Sequence, residues 1–177
     1  MLRHTLLVLG LATFACAALP PGQPLPDVPI SQPGGKKLDL KQYRGKALVV
    51  ALISTTCKDC AQTVDFLKLM QAENAAQGLQ VVAAAGDTNA VAKIVPFARQ
   101  HKLNFPIGFL DREGFIKMAS LKPHDRPFVP VLLFVDPKGM VRVQLMGDDP
   151  LLKKLESAIR GTIRELLKEP GIKSSKQ

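Results

Sequence analysis

Two cysteines separated by two residues, Cys57 and Cys60, lie between an apolar run and a stretch with helical spacing. The apolar run, Ala47–Ile53, predicts a strand that is buried on both faces. The stretch 61–77 predicts a helix that ends before Gly78. Because a helix N-terminus presents free N–H groups and the positive end of its dipole, it favours a thiolate over a thiol. This arrangement therefore predicts a dithiol that can cycle with a disulfide.

The composition fits one folded domain. The chain has 177 residues, enough for a full hydrophobic core, and its hydrophobic fraction of 46% excludes a wholly disordered chain. With no Trp and one Tyr, the core must be aliphatic and Phe-based. The formal charge of +9 is scattered, without an Arg-rich block or an aromatic platform. It predicts a solvated surface and no nucleic-acid partner, and it leaves weak attraction to anionic membrane surfaces open.

Residues 1–18 have the pattern of an export signal. A positive start precedes the apolar stretch 6–14, and Ala15-Cys16-Ala17 fits a small-residue cleavage site. The stretch is shorter than the about 20 apolar residues that span a membrane. Cleavage is therefore favoured, and membrane association through a retained N-terminus stays open. The pattern predicts a periplasmic or otherwise extracytoplasmic protein.

Cys16 adds an alternative for the same segment. It fits a bacterial lipoprotein signal weakly, because Thr13 stands where Leu is usual. The favoured interpretation is that Cys16 lies in a discarded peptide. Either way, two of the three cysteines remain in the folded domain. An even pair in an exported protein indicates an oxidising or mixed redox compartment.

The rest of the chain divides into three segments. Residues 19–35 are rich in Pro and Gly and predict an extended linker. Residues 36–168 predict the folded domain, and 169–177 a flexible polar tail. Buried strands and helices alternate early and a hairpin comes late, which predicts an α/β sheet with parallel and antiparallel pairs. The predicted strands are 37–40, 47–53, 79–85, 105–110, 129–135 and 140–145, and the predicted helices are 61–77, 90–102, 111–120 and 150–168.

A later proline completes a family pattern. Pro130 opens a predicted strand within V-P-V-L-L-F-V-D-P-K-G, residues 129–139, which runs into the hairpin and the last helix. Together with the Cys-x-x-Cys motif, this segment resembles thioredoxin-fold proteins of the exported TlpA/ResA (redoxin) type over residues 24 to 168. The resemblance implies a thioredoxin-like α/β fold. A central mixed β-sheet would be flanked by helices, with an inserted α/β segment around 86–120.

The resemblance and the helix position together assign site roles. Cys57, nearer the helix N-terminus, is the expected nucleophile, and Cys60, one turn in, is the expected resolving thiol. By resemblance, Pro130 follows a cis peptide bond and faces the thiols, although a trans proline at a strand start stays open. The backbone of Val129 is then free to pair with an extended substrate. Thr56 is expected to border the same substrate site.

The sequence departs from this family at three positions. Thr56 replaces the usual Trp before the first cysteine, Thr63 replaces a Glu, and Ala51 stands near the position of a buried Asp in thioredoxin. The usual acid that handles protons is therefore absent. Between the cysteines, Lys58 should favour the Cys57 thiolate and Asp59 should oppose it, so both are expected to tune the redox pair.

The predicted function is an extracytoplasmic thiol–disulfide oxidoreductase. It would reduce disulfides of exported proteins without a cofactor and take electrons from an unidentified membrane or periplasmic donor. One alternative is a peroxiredoxin-like thiol peroxidase, for which Ser54 fits the signature three residues before Cys57 and Val50 does not fit the Pro seven before. Another is a copper- or zinc-binding or redox-inactive binding module. For zinc, the motif supplies only two of the usual four ligands, so no metal site is predicted.

Overall fold

The computed structural model describes residues 22–149 and 155–174. The predicted export signal, including Cys16, lies outside these residues. No helix in these two ranges is both long enough and apolar enough to cross a membrane. The strands are β1 (Gln23–Pro24), β2 (Ile30–Ser31), β3 (Lys37–Leu38), β4 (Ala47–Ile53), β5 (Leu79–Ala85), β6 (Ile107–Phe109), β7 (Val131–Val135) and β8 (Met140–Leu145). The helices are α1 (Lys58–Asn74), α2 (Ala90–Gln100), α3 (Arg112–Met118) and α4 (Leu155–Leu166).

The described strands form one mixed sheet in the order β1-β8-β7-β4-β5-β6-β2-β3. β4 is parallel to β5, and β5 is parallel to β6. β7 is antiparallel to β4 and to β8. A central mixed sheet flanked by helices confirms the predicted thioredoxin-like fold. The segment around 86–120 contributes α2, β6 and α3 to it.

β4 is apolar throughout because helices cover both faces of the sheet. Its seven residues are all buried. Val49 and Ile53 pack in the core cluster that includes α1 and α4. Leu48 and Val50 pack in the second cluster, with Phe115 of α3. Since successive side chains of a strand point to opposite faces, a strand between two helical layers has no polar position.

The helix after the dithiol begins earlier than the sequence pattern indicates. α1 starts at Lys58 rather than at residue 61, so Cys60 lies in its first turn. Cys57 is the N-cap residue, and its sulfur accepts a hydrogen bond from the backbone N–H of Cys60. A sulfur atom thus replaces the oxygen that usually caps a helix. The helix also ends earlier, at Asn74, and a short 3₁₀ turn leads to Gly78.

The prediction of an extended linker at 19–35 is wrong for residues 22–35, the part of it that the structure describes. β1 pairs with β8 at one edge of the sheet, and β2 pairs with β6 and β3 near the other. Ile30 in β2 is fully buried. A proline-rich segment can join a sheet at its edge, where a missing N–H costs no ladder hydrogen bond. The apolar anchor at Ile30 outweighs the composition of its neighbours.

The prediction of a flexible tail is also wrong for residues 169–174, because these residues lie against the domain. Glu169 accepts a hydrogen bond from Arg142, 3.1 Å away. The backbone N–H of Lys173 donates to the carbonyl of Gly45 at 2.6 Å. Ile172 packs against the main core. The first residues of the predicted last helix, 150–154, lie outside the described residues, as do 175–177.

Candidate active site

The two cysteines lie where the buried strand β4 meets helix α1. Cys57 is partly exposed, whereas Cys60 is fully buried in the first turn of the helix. Both are free thiols. An accessible first sulfur and a buried second sulfur match the two steps of disulfide exchange. Only Cys57 can be reached by a large partner, and Cys60 can reach only Cys57.

Hydrogen bonds fix the outer sulfur. The backbone N–H of Cys60 donates to the Sγ of Cys57 over 3.1 Å. This N–H is one of the helix N-terminal donors without an intrahelical partner, and it is aimed where negative charge develops when Cys57 is a thiolate. The Cys57 thiol also lies 3.9 Å from the carbonyl oxygen of Val129. The dithiol therefore faces the segment that precedes β7.

The inner thiol resists ionisation. Burial raises the pKa of Cys60 far above the ordinary value, and the hydrogen bond with Cys57 raises it further. A hydrogen bond from the backbone of Ser54 partly opposes this rise. The thiolate of Cys60 is thus scarce at neutral pH in the dithiol form. This distinguishes the two cysteines chemically, because the thiolate is the attacking species in exchange.

The raised pKa of Cys60 predicts a loss of stability in alkali. Above about pH 9 an unfolded Cys60 ionises while the folded one stays protonated, so the folded state binds more protons and stability falls as pH rises. We expect the free energy of unfolding of the reduced protein to drop by about 1.4 kcal/mol per pH unit relative to Cys60→Ala. Urea unfolding of both proteins from pH 8 to 10.5 measures this difference. Parallel pH dependence of the two curves would contradict it.

The segment before β7 has the backbone that the resemblance implied. The peptide bond between Val129 and Pro130 is cis, and Pro130 is buried. The predicted strand begins at Val131, two residues later than the sequence indicates. The carbonyl of Val129 accepts a hydrogen bond from the Cys57 thiol over 3.9 Å. The structure thus brings Val129 and the two cysteines together.

The residues around the motif are exposed. Thr56 is exposed, and its hydroxyl lies 3.1 Å from the hydroxyl of Ser54 rather than over the thiols. Lys58 and Asp59 are exposed in the first turn of α1. Asp59 adds the smallest contribution to the raised pKa of Cys60. No described contact joins Lys58 to either sulfur.

Neither position at which the resemblance implies an acid carries an ionisable side chain here. Thr63 is buried, and its hydroxyl donates to the carbonyl of Asp59 at 2.8 Å. Ala51 is buried in β4 between Ala83 and Leu132. Neither side chain can exchange a proton with Cys60. Among residues 22–149 and 155–174, no three His, Cys, Asp or Glu side chains converge on a metal position.

A groove beside the dithiol was not found from the sequence. It has a volume of about 280 Å³ and opens between the end of β4 and the segment before Pro130. Phe128, next to it in the chain, is 60% exposed. The sequence did contain one indication of this groove. Polar residues that follow adjacent parallel strands meet at one edge of the sheet. The groove is lined by Ile53, Ser54, Gly86, Asp87, Thr88, Arg112, Phe115, Ile116, Pro127 and Val129.

Comparisons with known proteins agree with this geometry. A model of the AhpC/TSA family matches residues 21–144. The thiol-disulfide oxidoreductase ResA of Bacillus thuringiensis is 25% identical over 128 residues, which are 72% of this chain and 70% of the relative. The thioredoxin-like protein YneN of Bacillus subtilis is 27% identical over 123 residues, 68% of each chain.

Solved structures show the same fold. A thiol:disulfide interchange protein of the thioredoxin family from Chlorobium tepidum has a TM-score of 0.67 at 17% identity, covering 82% of this chain and 97% of its own. A secreted disulfide oxidoreductase of Mycobacterium tuberculosis has a TM-score of 0.56 at 17% identity, with coverages of 76% and 96%. The fold and the dithiol define a thioredoxin-fold thiol–disulfide oxidoreductase of the redoxin class. The chain belongs to the AhpC/TSA family.

Proposed function

We propose that this protein reduces disulfides of exported proteins through a cycle of the Cys57–Cys60 pair. The observation that carries the proposal is the asymmetry of the pair, in which Cys57 is accessible and capped by a backbone N–H while Cys60 is buried directly beneath it. The names of the ResA and interchange-protein relatives point to the same exchange chemistry. No cofactor is required, because the two thiols carry both electrons.

In the first step the Cys57 thiolate attacks one sulfur of a client disulfide. The client S–S bond breaks, a Cys57–client disulfide forms, and the departing client thiolate takes a proton from water. In the second step Cys60 loses its proton and its thiolate attacks the Sγ of Cys57. The Cys57–client bond breaks, the Cys57–Cys60 disulfide forms, and the second client thiolate leaves. The client gains two electrons, which a membrane or periplasmic donor later returns to the oxidised pair.

The proposal that the pair reduces its client, rather than oxidises it, rests on the raised pKa of Cys60. A dithiol is a strong oxidant when its reduced form is stabilised as a thiolate. Here burial raises the pKa of Cys60, so the reduced form gains no such stabilisation from the inner sulfur. A thiol with a raised pKa is also a poor leaving group, which makes the internal disulfide hard to open. Both effects favour a pair that gives electrons away.

Client binding is assigned to the exposed side of the pair. An extended client segment would run past Thr56 and pair with the backbone of Val129, whose carbonyl already faces Cys57. Pro130, which has no N–H, donates no hydrogen bond to a neighbouring strand. The exposed ring of Phe128 would cover the client beside the groove. Lys58 and Asp59, exposed next to Cys57, would meet the charges that flank the client cysteine.

The site of action is proposed to be extracytoplasmic. The pattern of residues 1–18 supports export, and the similar Mycobacterium tuberculosis protein is described as secreted. N-terminal sequencing of the protein from a bacterial periplasm checks this. Removal of the signal is expected, whereas a retained anchor or a lipid on Cys16 would place the protein on the membrane. A protein found only in the cytoplasm would contradict export.

A redox titration with an insulin-reduction assay tests the proposed function. We expect a single two-electron transition of the Cys57–Cys60 pair at a potential below that of the glutathione couple, and insulin turnover with dithiothreitol above the uncatalysed rate. A potential as high as that of a strong oxidant would reverse the direction of the proposed cycle. No transition and no turnover would overturn the enzyme itself.

A thiol peroxidase is the second candidate, favoured by the match to the AhpC/TSA family. The site offers little for peroxide, since the Ser54 hydroxyl is directed to Thr56 and Val50 is buried in the sheet. We therefore expect hydrogen peroxide consumption by the reduced protein at the rate of an ordinary exposed thiol. Rapid consumption that survives Cys60→Ser and is lost in Cys57→Ser would make the peroxidase the better assignment.

A further inference from the structure

Asp87 holds the loop that leads into the dithiol. One oxygen of its carboxylate accepts the backbone N–H of Thr55 at 2.8 Å, and the other accepts the Thr55 hydroxyl at 2.8 Å. Lys93 approaches the second oxygen at 3.2 Å. Burial acts to raise the pKa of Asp87, but the hydrogen bonds from Thr55 and Lys93 outweigh it and hold the pKa below its ordinary value. The carboxylate is therefore ionised at neutral pH.

The topology explains how a residue 30 positions after Cys57 reaches the loop before the motif. β4 and β5 are parallel neighbours, with Ile53 opposite Ala85 at their carboxyl ends. The loops that follow the two strands leave the sheet side by side. The backbone N–H of Gly86 donates to the carbonyl of Ile53 at 3.0 Å, which fixes their spacing. Asp87, one residue further on, is thereby placed against Thr55.

The loop held in this way contacts the backbone of Cys57 and interacts with Cys60, in both cases through Ser54. The carbonyl of Ser54 accepts the backbone N–H of Cys57 at 3.2 Å. The backbone of Ser54 also interacts with Cys60 and partly opposes the rise of its pKa. Thr55 follows Ser54 directly in the chain and is the residue that Asp87 binds. A change at Asp87 is thus transmitted through Thr55 to Ser54 and then to the thiols.

We propose that Asp87 is a positioning residue for the resolving step, acting through its two hydrogen bonds to Thr55. The inference rests on the proposed function in so far as Cys60 must attack a Cys57 mixed disulfide. In that step Cys60 loses a proton to solvent, the S–S bond of Cys57 to its partner breaks, and the Cys57–Cys60 bond forms. A loosened loop weakens the hydrogen bond between the Ser54 carbonyl and the backbone N–H of Cys57, so the Cys57 sulfur is held less firmly against Cys60. It also withdraws the Ser54 backbone from Cys60, and closure slows.

The test uses 5,5′-dithiobis(2-nitrobenzoate), a small disulfide that requires no client. Attack by Cys57 releases one thionitrobenzoate, and closure by Cys60 releases the second, so the absorbance separates the two steps. We expect Asp87→Asn and Thr55→Val to slow the second release about threefold or more at neutral pH, since a smaller thiolate fraction is only partly offset by higher nucleophilicity. The pH midpoint of the second phase should move upward in both variants.

Three further variants separate a positioning role from a general loss of structure. Thr55→Ser keeps both the N–H and the hydroxyl and should retain most of the closure rate. Asp65→Asn removes a carboxylate that pairs with His101 and Lys68 elsewhere on α1 and should leave both phases unchanged. The double variant Asp87→Asn/Thr55→Val should be no slower than the slower single variant, because the two residues act as one unit. Urea unfolding reports the stability of each protein.

The possible results of this experiment distinguish the role of Asp87 from the proposed function. Variants that lose stability but keep the closure rate and its pH midpoint would show a purely structural role and overturn the proposal. Release of only one thionitrobenzoate by the wild type would also overturn it, because Cys60 would not be resolving. A wild type that closes in two phases but fails to reduce insulin would refute the proposed function while leaving the role of Asp87 decided by the variants.

Discussion

Cys60→Ser should stop the reaction at the covalent complex between Cys57 and its client. The buried Cys60 is the group placed to attack the Cys57 sulfur, since its backbone N–H already lies 3.1 Å from that atom. A serine hydroxyl is not ionised at neutral pH, so the second step fails while the first proceeds. Insulin turnover should fall to the rate of dithiothreitol alone. When the reduced variant is mixed with client without dithiothreitol, a mixed disulfide of one client per protein should accumulate and be visible by non-reducing electrophoresis and intact mass.

Two control variants show whether the trapped complex depends on Cys57. Cys57→Ser should show the same loss of turnover and no mixed disulfide, because the exposed nucleophile is gone. The double variant Cys57→Ser/Cys60→Ser should behave like Cys57→Ser. It measures any reaction of a thiol outside the described residues. Trapping of a client by Cys57→Ser at the rate of Cys60→Ser would reverse the assigned roles of the two cysteines.

Ile30→Ala should destabilise the protein by about 2–5 kcal/mol, the usual cost of truncating a large buried aliphatic side chain. Ile30 is fully buried and packs in the core cluster on the α3 face of the sheet. That cost is a large fraction of the about 5–15 kcal/mol by which a domain of ordinary size is stable. Urea unfolding at neutral pH, followed by far-ultraviolet circular dichroism, measures it.

Gln23→Ala is the control from the same proline-rich segment. Gln23 is exposed in β1, so the change should stay within about 0.5 kcal/mol of the wild type. If the segment were the linker that its composition predicts, both substitutions would be equally silent. Equal and small effects would therefore contradict the placement of β2 in the sheet.

The sequence was sufficient where one physical signal dominated. β4 and β5 are predicted with the observed bounds, because strands buried on both faces leave continuous apolar runs. The hairpin strand β8 is likewise predicted residue for residue after the turn at Gly139. Helix ends were less accurate. The N-terminal end of α1 depends on a cysteine cap, and sulfur is not among the usual capping groups.

Distant contacts limited the remaining predictions. Composition indicated a linker at 19–35, yet one fully buried isoleucine and two short strand pairings bring its described part into the sheet. The polar tail was predicted to be free, yet Glu169 and Lys173 bind groups far away in the chain. Such pairings join residues that are far apart in the sequence, so local composition does not reveal them.

The dithiol was therefore determined by the sequence, and its environment by the tertiary structure. Spacing and the strand–helix setting suffice to place two thiols on one helical turn, because that geometry is local. The position of Cys60 one turn into the helix predicted its greater burial, and the resemblance implied that the segment at Val129 faces the thiols. The full burial of Cys60, the approach of the Val129 carbonyl itself and the hydrogen bonds from Thr55 to Asp87 are not local. They arise from the parallel alignment of β4 with β5 and the antiparallel alignment with β7, which only the folded sheet specifies.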